Sequence, residues 1–93
     1  MIYITGKKYT TISATAGEIY CVTLTAAGHR ADVLNNTDSD IHISEKNSFA
    51  QSETGCAYLT IPSGGSYNGL AAASDKLYIR TVGVGTVSIA ENM

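Results

Sequence analysis

The chain is a series of short segments in which apolar and polar residues alternate. These segments are rich in Thr, Val, Ile and Tyr and are separated by Gly, Asn, Asp and Ser, which is typical of β-strands joined by turns. The pattern predicts strands over residues 9–15, 18–25, 30–35, 40–44, 57–61, 76–82 and 85–90, with residues 2–5 as an extra arm. No segment sustains the apolar spacing of an amphipathic helix over three turns.

The alternation also assigns one face of each strand to a core. The side chains expected inside are Tyr20, Val22, Leu24, Ile41, Ile43, Leu59, Ile61, Leu77, Ile79, Val87 and Ile89. Successive strand side chains point to opposite faces, so the intervening ones should face solvent or a partner. These are Thr23, His42, Thr60, Tyr78, Arg80 and Ser88.

Glycine and proline mark the turns between the strands. Ala16-Gly17 separates two strong strands, and the glycines within residues 83–85 predict a hairpin between the last two. Pro62 ends its strand because it cannot donate to a ladder, and residues 70–74 should form at most one turn. We therefore expect an all-β fold, a single small antiparallel sandwich or jelly-roll-like barrel of about seven to eight strands.

The length of 93 residues fits one domain, 1–93, in which residues 1–8 contain the N-terminal arm. A domain of this size hides only roughly 60 to 65% of the surface of its unfolded chain, so its core supplies a thin margin of stability. Contacts with neighbouring molecules would add to that margin.

The longest predicted connection covers residues 45–55 and contains Phe49, the only phenylalanine. Loops of this length are often functional. Two interpretations stay open for Phe49. It is either a plug that pins the loop to the sandwich or an anchor for a pocket on a partner.

Charge and hydropathy argue against a nucleic-acid ligand, export through a signal peptide and a membrane span. Eight acidic residues face six basic ones, without the basic stripe that nucleic acid requires. The N-terminus lacks the apolar region of a signal peptide, and no stretch is long enough to span a membrane, so we expect a soluble protein made in the cytoplasm. Cys21 and Cys56 should then be reduced buried thiols, with a disulfide as the alternative.

The residues that could carry catalysis or hold a metal do not form a known motif. His29 and His42 have no nucleophile elbow near them, since Gly-x-Ser-x-Gly is absent. Residues 35–40 resemble a calcium loop but lack its glycine and distal Glu, which favours a turn whose Asx side chains bond their own backbone. We predict no enzyme, metal site or cofactor.

The aromatic residues are six tyrosines and one phenylalanine, with no tryptophan. Tyrosine suits both interfaces and strands, because it combines a flat apolar ring with a polar tip. Without tryptophan the sequence favours sugar binding only weakly, although it remains an alternative.

Four segments together resemble small β-sandwich accessory virion proteins of tailed bacteriophages, of the head decoration type. They are ADVLNNT at 31–37, IHIS at 41–44, YLTIPSGGSYNGL at 58–70 and KLYIRTVGVGTVSIAE at 76–91. The resemblance covers about two thirds of the chain and rests mainly on strand and turn residues.

The resemblance implies a non-enzymatic structural protein of the virion that binds the major capsid protein or other virion proteins. It further implies a homo-oligomer, for which we expect a trimer. The residues we expect to contact a partner are Ile2, Tyr3, Ile4, Phe49 and Tyr67. The first three form an apolar strand that could add to a neighbour's sheet edge. Two alternatives stay open: a component of the neck or tail, and a stand-alone module that binds host glycan or protein.

Overall fold

The computed structural model describes residues 1–25, 30–50, 52, 57–71 and 74–92, except the side chains of residues 50, 71 and 92. These residues form nine strands and one 3-10 turn, Asn47–Ala50. The strands are β1 Ile2–Thr5, β2 Tyr9–Ala14, β3 Ile19–Thr23, β4 Arg30–Thr37, β5 Ile41–Ser44, β6 Leu59–Ile61, β7 Ser66–Ala71, β8 Lys76–Thr81 and β9 Gly85–Asn92. In the described part of the chain, no helix has the length and apolarity needed to cross a membrane.

The strands form two sheets that pack face to face as a sandwich. The five-stranded sheet has the order β1-β3-β8-β5-β6, and the four-stranded sheet has the order β2-β9-β4-β7. The predicted all-β sandwich is therefore confirmed. Its strands are antiparallel except for β1, which pairs in parallel with β3.

The chain passes from one sheet to the other at almost every connection. Among the described strands, only β5 and β6 are both consecutive and paired. The predicted hairpin between the last two strands is therefore wrong. β9 already pairs on both sides, with β2 and β4, so residues 82–84 carry the chain across the core instead.

The strand that the sequence did not predict is β7, which pairs with β4. The prediction of at most one turn over residues 70–74 is therefore wrong for residues 70 and 71, which end this strand. The register of the β4–β7 pair shifts between Ala31 and Val33, and Gly69 takes a positive φ of 73°. This irregularity interrupts the alternation by which a strand is recognised in sequence.

The predicted core residues line the space between the sheets, and all but Leu59 are buried. Leu59 is half-buried because β6 is a three-residue edge strand. Further core side chains come from β2 and β4, namely Ile12, Ala14, Ala31 and Val33.

A buried amide, Asn35, ties the β4–β5 turn to the end of β6. Its Nδ2 donates to the backbone oxygens of Ser39, at 2.8 Å, and Ile61, at 2.9 Å. Its Oδ1 accepts hydrogen bonds from the backbone N–H and the hydroxyl of Thr37. The prediction that Asx side chains in this stretch bond their own backbone is thus confirmed for Asn35.

Replacing Asn35 by Ala should destabilise the protein by about 2 to 4 kcal/mol, because several buried groups lose their partners at once. Asn36→Ala is the matched control, since Asn36 is the next residue on the same strand and is exposed. It should cost less than about 0.5 kcal/mol. Urea unfolding of both variants measures the difference, and equal losses would contradict this role of the buried amide.

Candidate binding surfaces

The N-terminal segment is a strand of the protein's own sheet. β1 pairs in parallel with β3, with Ile2 opposite Tyr20 and Ile4 opposite Val22. The expectation of an arm outside the main pattern is therefore wrong. Gly6 ends the strand by donating its N–H to the Thr23 carbonyl at 2.7 Å. A Cβ at Gly6 would lie 2.5 Å from that oxygen, so only glycine fits.

The outer side of β1 is an exposed sheet edge, which we call the N-terminal edge and define by Ile2, Tyr3 and the backbone of β1. Tyr3 is 77% exposed and Ile2 is 41% exposed, whereas Ile4 packs against the core. No other described strand pairs with this side of β1. Its backbone therefore presents hydrogen-bonding groups to the surroundings.

Tyr67, the predicted partner residue on β7, lies at the opposite end of the sandwich. β1 and β2, which are joined by residues 6–8, are the edge strands on one side of the sandwich. β6 and β7, which are joined by residues 62–65, are the edge strands on the other side. Tyr67 is 42% exposed and stands opposite Val33. The structure therefore does not bring Tyr67 together with the N-terminal edge.

Phe49 covers the outer face of the five-stranded sheet. Its side chain is 0% exposed and forms a small second core with Cys21 and Tyr78, which are cross-strand neighbours. The Arg80 guanidinium lies 5.6 Å from the ring centroid and donates to the Phe49 carbonyl at 3.4 Å. The interpretation of Phe49 as a plug agrees with this burial, and the side chain offers no surface to a partner in this structure.

Tyr78, which we expected to face solvent or a partner, is buried beneath the same loop. The predicted direction of the side chain is correct, since Tyr78 points away from the main core. The prediction of exposure is wrong because the Asn47–Ala50 turn packs over that face of the sheet.

The two residues that could carry chemistry near this face have structural contacts. The His42 ring stacks against Tyr58 at 4.8 Å between centroids, and Cys21 is a buried free thiol. His29 and Cys56 lie outside the described residues. Within the described ranges, no group of three or more His, Cys, Asp and Glu could hold a metal ion.

Truncating the Phe49 side chain should destabilise the folded protein. Phe49→Ala should lower the free energy of unfolding by about 3 to 5 kcal/mol, because it leaves a cavity over Cys21 and Tyr78. Phe49→Leu keeps most of the apolar volume and should lose roughly 1 kcal/mol. Urea unfolding tests the pair of variants, and a loss below about 1 kcal/mol for Phe49→Ala would contradict the plug.

Burial raises the pKa of the Tyr78 hydroxyl, and neighbouring Cys21 raises it further. The folded protein therefore keeps this proton at a pH where the unfolded chain has lost it. Because the unfolded state then binds fewer protons, stability falls as pH rises above the ordinary tyrosine value of about 10.

We expect Tyr78→Phe to weaken this alkaline loss, since phenylalanine has no proton to release. The measurement is the free energy of unfolding in urea at a series of pH values on both sides of about pH 10. An identical pH slope in the wild type and Tyr78→Phe would exclude Tyr78 as a source of the alkaline instability.

A second surface is a groove on the outer face of the four-stranded sheet, with a volume of about 370 Å³. We call it the strand groove. Its outward-facing side chains come from all four strands, namely Tyr9, Thr11, Asp32, Leu34, Ser66, Asn68, Ser88 and Ala90.

The groove exists because small side chains lie between larger ones. Ser88 and Ala90 of the inner strand β9 form its floor, while Tyr9 on β2 and Leu34 on β4 form its walls. We predicted that Ser88 faces outward, but the sequence showed no groove. The small residues at alternate positions of β9 predict a groove only if the strands that pair with β9 are known.

Neither family models nor curated proteins match the chain. Solved structures that are similar to it include the following two. One is a de novo designed double-stranded β-helix, with a TM-score of 0.56, 19% identity, and coverage of 92% of this chain and 100% of the other.

The other is the carbohydrate-binding module CBM_E1 from a sugar cane soil metagenome, solved with cellopentaose and gadolinium. Its TM-score is 0.54 at 17% identity, covering 99% of this chain and 91% of that one. At these identities both comparisons show the fold alone, a small two-sheet β structure.

Proposed function

We propose that this chain is a non-enzymatic structural protein of a tailed-phage virion that binds the capsid shell as a decoration or stabilising protein. The observation that carries the proposal is the N-terminal edge. It combines an open row of backbone hydrogen-bonding groups with exposed Ile2 and Tyr3. A strand of a neighbouring protein could extend the five-stranded sheet at this edge.

Comparison with the other three sheet edges supports this choice. β6 is three residues long and is followed by Pro62, and β7 is irregular at Gly69. β2 follows Lys8 and exposes Thr11 and Ser13 along its middle. Short strands, proline, irregularity and charge are the features by which proteins protect an edge from pairing. β1 is also short, at four residues, but it contains no proline, charged side chain or register shift, and it exposes Ile2 and Tyr3.

Among the described residues, the reactive side chains have structural contacts, which supports binding rather than catalysis. Glu91 is buried and accepts hydrogen bonds from the Thr25 N–H and hydroxyl, both at 2.9 Å. Cys21 lies under Phe49, and His42 stacks on Tyr58. These groups hold loops and strands in place.

A particle lattice also suits the size of the protein. A 93-residue chain has a thin core, and binding to the folded state alone adds stability by mass action. Copies arranged on threefold positions of a shell would form the trimer that we expect from the resemblance.

The proposal is tested by co-sedimentation with phage capsids that lack their accessory proteins. The wild type should bind at a saturable, lattice-like stoichiometry. Tyr3→Lys should weaken binding at least about tenfold, because it places a charge on the pairing edge. Tyr9→Lys is the matched control, since Tyr9 is 71% exposed on the other sheet, and it should bind within about twofold of the wild type.

Light scattering of the free protein completes the test, because it measures whether copies already associate in solution. Wild type that ignores the capsids, or equal losses for the two lysine variants, would count against attachment through the N-terminal edge.

A further inference from the structure

We propose that the strand groove is a binding site for a neutral oligosaccharide. This goes beyond attachment to a shell, which uses the opposite sheet. β2 and β4 flank β9, so the walls stand about 10 Å apart, twice the spacing of neighbouring strands. The volume of about 370 Å³ falls within the range of small-molecule sites. The groove therefore accepts a single narrow chain.

Tyr9 supplies an aromatic wall of the kind that packs against the apolar C–H face of a sugar ring. It is 71% exposed, although its backbone is held by pairing with Ala90. The Lys8 ammonium lies 5.6 Å from the ring centroid and covers one ring face. The ring is thus partly ordered before a ligand arrives, and its second face can stack.

The remaining lining matches the hydroxyl groups of a sugar. Thr11, Ser66 and Ser88 carry hydroxyls that both donate and accept, and Asn68 carries an amide. The Asp32 carboxylate is oriented by the Gly69 N–H, which donates to its Oδ1 at 2.7 Å.

Charge and backbone pairing narrow the ligand class. The described residues that line the groove include the Asp32 carboxylate and neither lysine nor arginine, and the Lys8 ammonium beside Tyr9 is a single cation, so the charge does not favour phosphates or acidic sugars. The floor strand β9 already pairs on both sides, so an extended peptide could not add to it as a strand. Binding must then run through side chains, as it does for a neutral sugar.

The experiment is an NMR titration of the full chain with neutral oligosaccharides of glucose and of N-acetylglucosamine, each in α- and β-linked forms. At least one probe should give saturable amide shifts centred on Thr11, Asn68 and Ser88. Tyr9→Ala should weaken that binding at least about tenfold, through the loss of stacking. Ser88→Gln, which fills the floor, should weaken it to a similar degree.

Tyr67→Ala is the matched control, because Tyr67 is an exposed tyrosine of the same sheet that lies outside the groove. It should bind within about twofold of the wild type. Urea unfolding verifies that each variant is folded at the titration temperature. Tyr3→Lys should keep sugar binding, so failure at the N-terminal edge and failure at the groove are distinguishable.

The proposal would be overturned by no saturable shift with any probe, by shifts centred outside the groove, or by equal losses for Tyr9→Ala and Tyr67→Ala. Saturable binding of an unrelated extended peptide at the same amides, with no sugar bound, would also overturn it and identify a protein-docking groove.

Discussion

The structure depends on a core that is shared by strands remote from one another in sequence. Because the chain changes sheet at almost every connection, most strands find their hydrogen-bonding partners far along the chain. β9 illustrates this, since the last strand pairs along its length with β2 and β4. No part of the sandwich buries its apolar face until both sheets are present. Folding should therefore be cooperative and, for its size, slow.

Buried polar side chains hold the points where the chain crosses between sheets. Asn35 binds the turn after β4 and the end of β6. Thr81 donates its hydroxyl to the Thr15 carbonyl at 2.6 Å, which holds the β2–β3 crossing. Glu91 binds Thr25 after β3. In a hairpin, pairing between the two adjacent strands satisfies the backbone hydrogen-bonding groups near the turn. A crossing between sheets leaves such groups without strand partners, and these side chains bind them instead.

This arrangement decides which surfaces remain for partners. The loop that carries Phe49 covers part of the outer face of the five-stranded sheet, so Cys21 and Tyr78 are lost to the interior. The outer face of the four-stranded sheet stays open as the strand groove, and β1 leaves an unprotected edge at the other sheet. The two proposed sites thus lie on different sheets.

The alternation of apolar residues was enough to predict seven strands and the sandwich class. It also predicted that Val22, Ile79 and Ile89 point into the core, because the direction of a side chain alternates locally along a strand. Strand pairing was not predictable. The segment 83–85 suits a hairpin as well as a crossing, and only the occupied edges of β9 decide between them. The same holds for the sites. In the sequence, Tyr3 and Tyr9 are ordinary strand residues. Only tertiary packing places Tyr3 on an open sheet edge and Tyr9 beside a groove with a floor of small side chains.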